Sequence, residues 1–450
     1  MEYITAGESH GPKLTAIVSG VPAGLEIDPQ RIDADLARRQ SGYGRGGRQM
    51  IEMDRAEFTS GVRFGRTTGA PIAIEVANRD WKNWTDRMAH FGDAPADLKR
   101  EVQPRPGHAD LVGVMRNDTD DCRNILERSS ARETAARVAA CGVAKELLRT
   151  LGVELLSYVV SIGDVSMDDD SGCYGRYEED LFDGLMTAEE MRAVVEISET
   201  RCPDSVTTDR MKAAIDRAKR DGESLGGTFR VVATGAEPGL GSYASGPERL
   251  TSKLAAAVCS IPAIKGIEFG LGFEAAHRPG SQVHDPIVLN ADARDGSCES
   301  RVVDNAKRSR EDTSVCSTED ADRTAKTSSC IDNMGAFRRT SNNAGGLEGG
   351  MSTGAPIIVT AAMKPIPTLM TPLGTVNLDT LDVAEASRER SDVCAVPAAA
   401  VVAEGEVAMV LANAYLESFG CTNMADLKSS IAAYTERLAG YSKTGRSDLQ

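Results

Sequence analysis

Three stretches of this chain of 450 residues place proton-transfer or anion-binding groups where the backbone can come close to a ligand. GESHG (7–11) holds His10, one of only five histidines, in a glycine-flanked turn. QPRPGHAD (103–110) stiffens the approach to His108 with two prolines and a glycine and sets Arg105 three residues before it. Imidazole exchanges protons near physiological pH, so a histidine held in a rigid turn suits general acid–base work. RRQSGYGRGGRQ (38–49) carries four arginines within eleven residues, Arg38, Arg39, Arg45 and Arg48, with no acid among them. Arginine captures phosphate or carboxylate bidentately, and glycines let a loop wrap an anion with its N–H groups.

Four weaker signals join them. In ERSSARET (127–134), Ser129 or Ser130 is placed to cap a helix, and Arg132 sits in its first turn. A cation there opposes the helix dipole unless an anion is near. MKPIPTL (363–369) sets Lys364 and Thr368 four apart across a proline-stiffened turn, a spacing able to hold a phosphate. RERSDVCAVPA (388–398) places Arg390 and Asp392 in a loop before a long helix, and NNAGGLEGG (342–350) adds glycine-rich backbone. Each has a plainer reading: helix caps, a surface lysine, structural histidines, an RGG-like nucleic-acid segment. Together they describe a site for a small substrate with several negative charges, one of them a phosphate. A binding protein for such an anion is the alternative.

Composition narrows the field. The formal charge of −16 opposes broad binding to nucleic acid or an anionic membrane. The histidines lack HxxxH or HExxH spacing, so no metal set is expected. GLGFEA (270–275) matches a dinucleotide fingerprint formally but runs into HRPG rather than a helix. The ten cysteines form no CxxC pair and read as reduced thiols. The start has no apolar signal region, and the longest apolar runs, such as AVPAAAVVA (395–403), fall short of a membrane span. The expectation is a cytoplasmic protein.

The elements that must position these residues alternate. Alternating runs predict strands at 13–21 and 69–78, with Pro71 marking an edge strand or a strand's start, and 155–165 reads as a buried strand and 228–235 as another. Period-3.6 runs predict helices at 28–40, 207–227 and 396–417 and one long amphipathic helix over 130–152. A helix, a turn and a strand are expected over 248–272. Without regular βαβ spacing, this is an α+β fold with antiparallel sheets. SGVRFGRTTGAPI (60–72) and GGLEGGMSTGAPI (345–357) align without gaps, sharing glycines at 61/346, 65/350 and 69/354. The echo predicts two pseudo-symmetric, sheet-containing halves. Residues 292–336 have no aromatic and read as a long exposed insertion in a single domain spanning 1–450.

In this order, GESHG, RRQSGYGRGGR, PRPGHADLVG, SSARETAARVA, SIPAIKGIEFGLGFEAA, NNAGGLEGGMSTGAPI, MKPIPTL and RSDVCAVPAA resemble the chorismate synthase family along nearly the whole chain. The resemblance implies a β-α-β sandwich, a homotetramer and reduced FMN bound beside 5-enolpyruvylshikimate 3-phosphate. It implies an anti 1,4-elimination of phosphate without net redox change, the last step of the shikimate pathway. By motif, His10 would protonate the leaving phosphate, His108 would assist protonation at the flavin, and Asp392 would act near flavin N5. Arg39, Arg45, Arg48, Arg105, Arg132 and Arg390 would hold the substrate's anionic groups, Arg390 also touching the flavin. Ser9 and Ser130 would relay hydrogen bonds, Ser130 against the substrate. Ser129, Ala263, Asn343, Lys364 and Thr368 would hold FMN, the last two at its phosphate. Pro262 stands where many members have Asn. With no nicotinamide-binding motif, the reduced flavin would come from an external reductase or another outside source.

Overall fold

The computed structural model describes residues 1–46, 52–167, 176–289, 337–387, 392–420 and 422–444. The expected insertion falls outside them. The first sheet contains β1 (Glu2–Ala6), β2 (Lys13–Ser19), β3 (Glu57–Phe58) and β4 (Ile72–Ala77) in the order β1-β2-β4-β3. The second contains β5 (Glu154–Ile162), β6 (Val165–Ser166), β7 (Gly227–Thr234), β8 (Ile264–Phe269) and β9 (Ile357–Met363) in the order β8-β9-β7-β5-β6. Every pairing in both sheets is antiparallel, as the α+β reading requires. Pro71 stands just before β4, an inner strand rather than an edge.

The helices used below are α1 (Pro29–Gln40), α2 (Asp110–Asn117), α3 (Arg123–Ser129), α4 (Thr134–Thr150), α5 (Ser205–Asp221), α6 (Leu250–Cys259) and α7 (Val396–Phe419). Asp28 caps α1 by accepting from Gln30 N at 3.0 Å, and α5 closes on Gly222. Between the sheets lie α4 and α7, packed on each other, with α1 beside them. Gly405 makes the crossing close: a Cβ there would stand 2.9 Å from Cys141 Cβ. α7 is long and apolar enough to cross a membrane by composition, yet 89% of that stretch is buried inside the protein.

The helix expected over 130–152 differs in two ways. Ser130 is extended, a 3-10 turn covers Ala131–Glu133, and α4 begins only at Thr134. Nor is α4 amphipathic in use, since nearly all of it is buried. Its polar residues meet charges on the facing helix: Lys145 Nζ is 2.6 Å from Glu404 and Arg137 Nη1 is 3.2 Å from Glu406. Arg38 adds a 2.9 Å pair to Glu404. Burial would raise the Glu404 pKa, but Arg38 and Lys145 hold it well below the usual carboxylate range.

The duplicated motif folds alike in both halves. Val62–Arg63 pairs with Arg66–Thr67, and Leu347–Glu348 pairs with Met351–Ser352 in the same register. Gly61 and Gly346 are left-handed, with φ of 80° and 73°. A Cβ on either would lie 2.6 Å from Pro71 O or 2.5 Å from Pro356 O. The strands agree as well. Lys13 opposes Ala77 and Val18 opposes Ile72; in the other sheet Thr228 opposes Ala362 and Ala233 opposes Ile357. Thr67 Oγ1 accepts from Leu25 N at 3.0 Å and donates to Pro22 O at 2.6 Å. Ser352 Oγ does the same with Leu240 N at 2.9 Å and Glu237 O at 2.6 Å.

Candidate active site

The turn between β1 and β2 is held from three sides. Asn78, just after β4, donates from Nδ2 to Glu8 O at 3.1 Å and Gly11 O at 2.8 Å. Glu127, in α3, accepts from His10 N at 2.8 Å through Oε2 and lies 2.8 Å from His10 Nδ1 through Oε1. Its backbone oxygen accepts from Ser9 N at 3.0 Å. Trp84 lies against the imidazole, ring centres 4.0 Å apart and planes 29° from parallel. Burial would raise the Glu127 pKa, but hydrogen bonds from His10 and Arg123 outweigh it and hold the carboxyl below its ordinary value. Ser130 donates to Ser9 Oγ at 3.1 Å and accepts from Arg132 N at 3.3 Å. Ser129 instead donates back to Ile125 O at 2.8 Å, closing α3.

The arginines come next along the same surface. Arg39, at the end of α1, donates from Nε to Thr134 Oγ1 at 2.8 Å and from Nη2 to Ala131 O at 2.9 Å. Arg132 Nη1 lies 2.7 Å from both Asp54 carboxylate oxygens, and its Nε donates to Asn78 Oδ1 at 2.8 Å. Asp54 also pairs with Arg39 at 3.4 Å. Burial lowers the Arg39 pKa, with Asp54 opposing and Arg132 adding, to about 9, which leaves it charged at neutral pH. Arg45 Nη1 is 2.6 Å from Asp392, whose other oxygen accepts from Gly46 N at 2.5 Å. Arg45 Nε is buried and has no hydrogen-bond partner among the described residues. Arg48 and Arg390 lie outside the described residues.

A second group forms where 103–110 meets 363–368. Arg105 is buried and donates from Nε to Asp110 Oδ2 at 2.8 Å and from Nη1 to Thr368 Oγ1 at 3.3 Å. His108 Nδ1 is 2.5 Å from Asp110 Oδ1. Burial would raise the Asp110 pKa, but His108 and Arg105 win and hold it far below the carboxylate range. Lys364 Nζ donates to Gly107 O at 2.7 Å, and its N–H donates to Ala263 O at 2.9 Å. Burial, helped by Lys265, lowers the Lys364 pKa. Ala263 is left-handed, with φ of 70°, a strained state for a residue with a Cβ. The two groups are joined through Glu101, which accepts from Cys122 N at 2.8 Å and faces Arg123 at 3.9 Å.

One sequence candidate stands apart. Asn343 N donates to Asp285 at 2.8 Å and its oxygen accepts from Leu271 N at 2.9 Å, near the opposite end of β9 from Lys364. Six strand residues put it roughly 20 Å away at about 3.3 Å per residue. A single chain does not bring it to Lys364. The sequence reading missed Glu127, Asp110, Asp54 and Trp84. Glu127 and Asp110 stand inside the quoted motifs, as the acids beside the serines and after His108, and that adjacency was the available signal. GLGFEA follows β8 but opens a 3-10 turn from an antiparallel strand, unlike a dinucleotide-binding βα turn.

A helix-cored sandwich whose loops hold two carboxylate-bound histidines and several arginines has the make-up of an enzyme for a small anionic substrate. The profile of the family described as chorismate synthase matches residues 1–416. A chorismate synthase of Syntrophotalea carbinolica is 48% identical over 436 residues, covering 97% of this chain and 98% of that protein. One from Geobacter sulfurreducens is 45% identical over 441 residues, covering 98% and 100%. A crystal structure of chorismate synthase matches with a TM-score of 0.69 and 36% identity, covering 98% of both chains. This chain belongs to the chorismate synthase family.

Proposed function

We propose that this chain is a lyase that converts 5-enolpyruvylshikimate 3-phosphate to chorismate and phosphate by anti 1,4-elimination with reduced FMN. The observation that carries the reading is one run of contacts. It passes from His10 through Ser9, Ser130, Arg132, Asp54 and Arg39 to Arg45 and Asp392, and meets a buried N–H at Arg45 Nε that has no partner among the described residues. A buried donor without an acceptor costs about 1–3 kcal/mol, and an anionic ligand oxygen would satisfy it.

The second group fits the flavin phosphate. Lys364, Thr368 and Arg105 supply a cation, a hydroxyl and a buried guanidinium. At Gly107 a Cβ would stand 3.3 Å from Lys364 Nζ, so glycine keeps that approach open. When bound, reduced FMN supplies the electron density that helps expel phosphate and takes up a hydrogen no simple base removes. The chain's own residues manage charge and protons. His10 gives a proton to the departing phosphate, and His108 holds one beside the flavin. Asp392, fixed by Arg45, would help return a proton near the flavin when it is bound. Arg45 and Arg105 bind anionic groups directly, with Arg48 and Arg390 proposed alongside. Arg39 and Arg132, tied to Asp54, act through charge and by shaping the loop. Ala263 and Asn343 are proposed flavin neighbours, as are Ser9 and Ser129. Reduced flavin comes from an external reductase, and the assembly is a homotetramer, which light scattering checks.

The deciding experiment incubates the purified protein anaerobically with substrate, with and without reduced FMN. Phosphate release only with reduced FMN is the expected result. Tight substrate binding without release would leave a binding protein, and release without flavin would remove the cofactor.

A further inference from the structure

The grip of Glu127 on His10 is tighter than a turn at the surface requires. Glu127 is 2% exposed, yet its carboxylate accepts two N–H groups of one residue, His10 N through Oε2 and His10 Nδ1 through Oε1, each at 2.8 Å. Arg123 donates to Oε1 at 3.1 Å, and its guanidinium lies 5.2 Å from the centre of the Trp84 ring, which itself stacks on His10. Backbone, ring edge and ring face of His10 are therefore all constrained.

We propose that Glu127 is a positioning residue: it keeps a proton on His10 Nδ1 and fixes the ring's orientation, so that the protonated ring gives the substrate the proton on Nε2. This rests on the reading of His10 as the proton donor to phosphate. The chemistry follows from acceptor count. A carboxylate offers oxygens only, so both N–H groups of His10 are satisfied at once. A glutamine offers one oxygen and one NH2, and the NH2 must face one of the two N–H groups. The ring relieves that conflict by giving up its Nδ1 proton or by turning over, and either change removes the doubly protonated ring with Nε2 outward that should donate. A carboxylate holding the tautomer of a neighbouring imidazole is a general arrangement in acid–base sites.

The test compares Glu127→Gln, Glu127→Asp, His10→Ala and the double variant His10→Ala/Glu127→Gln as full chains, with the anaerobic phosphate-release assay. In 15N-histidine-labelled protein, the His10 nitrogen signals should show Nδ1–H in the wild type and a changed tautomer or ring environment in E127Q. Turnover of E127Q should fall at least about 10-fold and by no more than the loss in H10A, with KM changed less than kcat. E127D, which keeps both acceptor oxygens, should recover part of it. In the H10A background, E127Q should add nothing. Unchanged His10 signals in E127Q, or an equal loss with and without His10, would make Glu127 merely structural and overturn the proposal. Full turnover in H10A would instead overturn the role of His10 itself. That failure is recognisable because the E127Q nitrogen signals would still change.

Discussion

The two halves of the molecule share strand register, hairpins and buried hydroxyl bridges, yet they are used differently. β5 and β7 are buried along nearly their whole length, and the helix Ala188–Glu196 and α5 pack on β5. In β2 and β4 buried residues alternate with more exposed ones, and Ile4 and Ile17 are left exposed. The connections diverge more. β1 leads to the histidine turn GESHG, whereas β5 leads through Gly163 and Asp164 straight into β6. Both central helices begin beside the candidate site: Ser130 and Arg132 precede α4, and Asp392 precedes α7. The difference teaches that the duplicated frame sets positions, and the loops before its shared elements carry the chemistry.

If chemistry sits in loops and stability in the frame, substitutions in the two should separate. The largest effect is expected in a loop. His10→Ala should slow turnover by about 10²–10⁴-fold while thermal unfolding and FMN binding change little. Steady-state and flavin-titration measurements check this, and unimpaired turnover would return the histidine turn to the frame.

Next come the matched glycines. Gly61→Ala and Gly346→Ala each force a Cβ against a proline carbonyl at positive φ, and each should cost roughly 2–5 kcal/mol of stability. Urea unfolding measures both. A gap beyond about 2 kcal/mol would mean that equal geometry hides unequal energetics.

Arg45→Ala should weaken substrate binding by about 1.5–3 kcal/mol, the scale of a charged hydrogen bond, and leave unfolding nearly unchanged. Isothermal titration tests it, and unaltered affinity would mean Arg45 holds only Asp392. The smallest effect concerns acid. The Asp110 pKa is depressed in the folded state, so its contribution is complete above the unfolded value of about 3.9 and is lost as pH falls toward the folded one. Stability should therefore rise with pH below about 4, by up to about 1.4 kcal/mol per unit from this group. Asp110→Asn should flatten that slope. An unchanged slope in unfolding midpoints from pH 2 to 5 would show that its partners do not stabilise the carboxylate.

Much of this frame was legible. The helix start at residue 28 and the echo of TGAPI marked elements correctly, because they depend on local backbone chemistry, whereas the helix expected over 207–227 stops at Asp221, where Gly222 turns left-handed. The second echo was not read. β2 with VPAGL and β7 with AEPGL share little beyond Gly20/Gly235, Gly24/Gly239 and Leu25/Leu240, since register needs alternation and turn glycines rather than identity. The helix over 130–152 was called amphipathic because Arg137, Lys145 and Glu146 look solvated in one dimension. Only the facing helix reveals Glu404 and Glu406 as the counterweights of Lys145 and Arg137, while Glu146 pairs with Arg31 on α1. In the candidate site the histidines and arginines announced themselves by type. Glu127 and Asp54 did not, for carboxylates are common and their meaning lies in partners distant along the chain.

The crossing of α4 and α7 has a consequence for how the protein is made. α4 is finished at residue 150, but the helix that shields its far side ends only at 419. At about 5–20 residues per second, a ribosome takes on the order of 15–50 s to cover that gap. During that interval the emerging first half exposes an Ala/Val ridge in which Arg137 and Lys145 still await their α7 partners, Glu406 and Glu404.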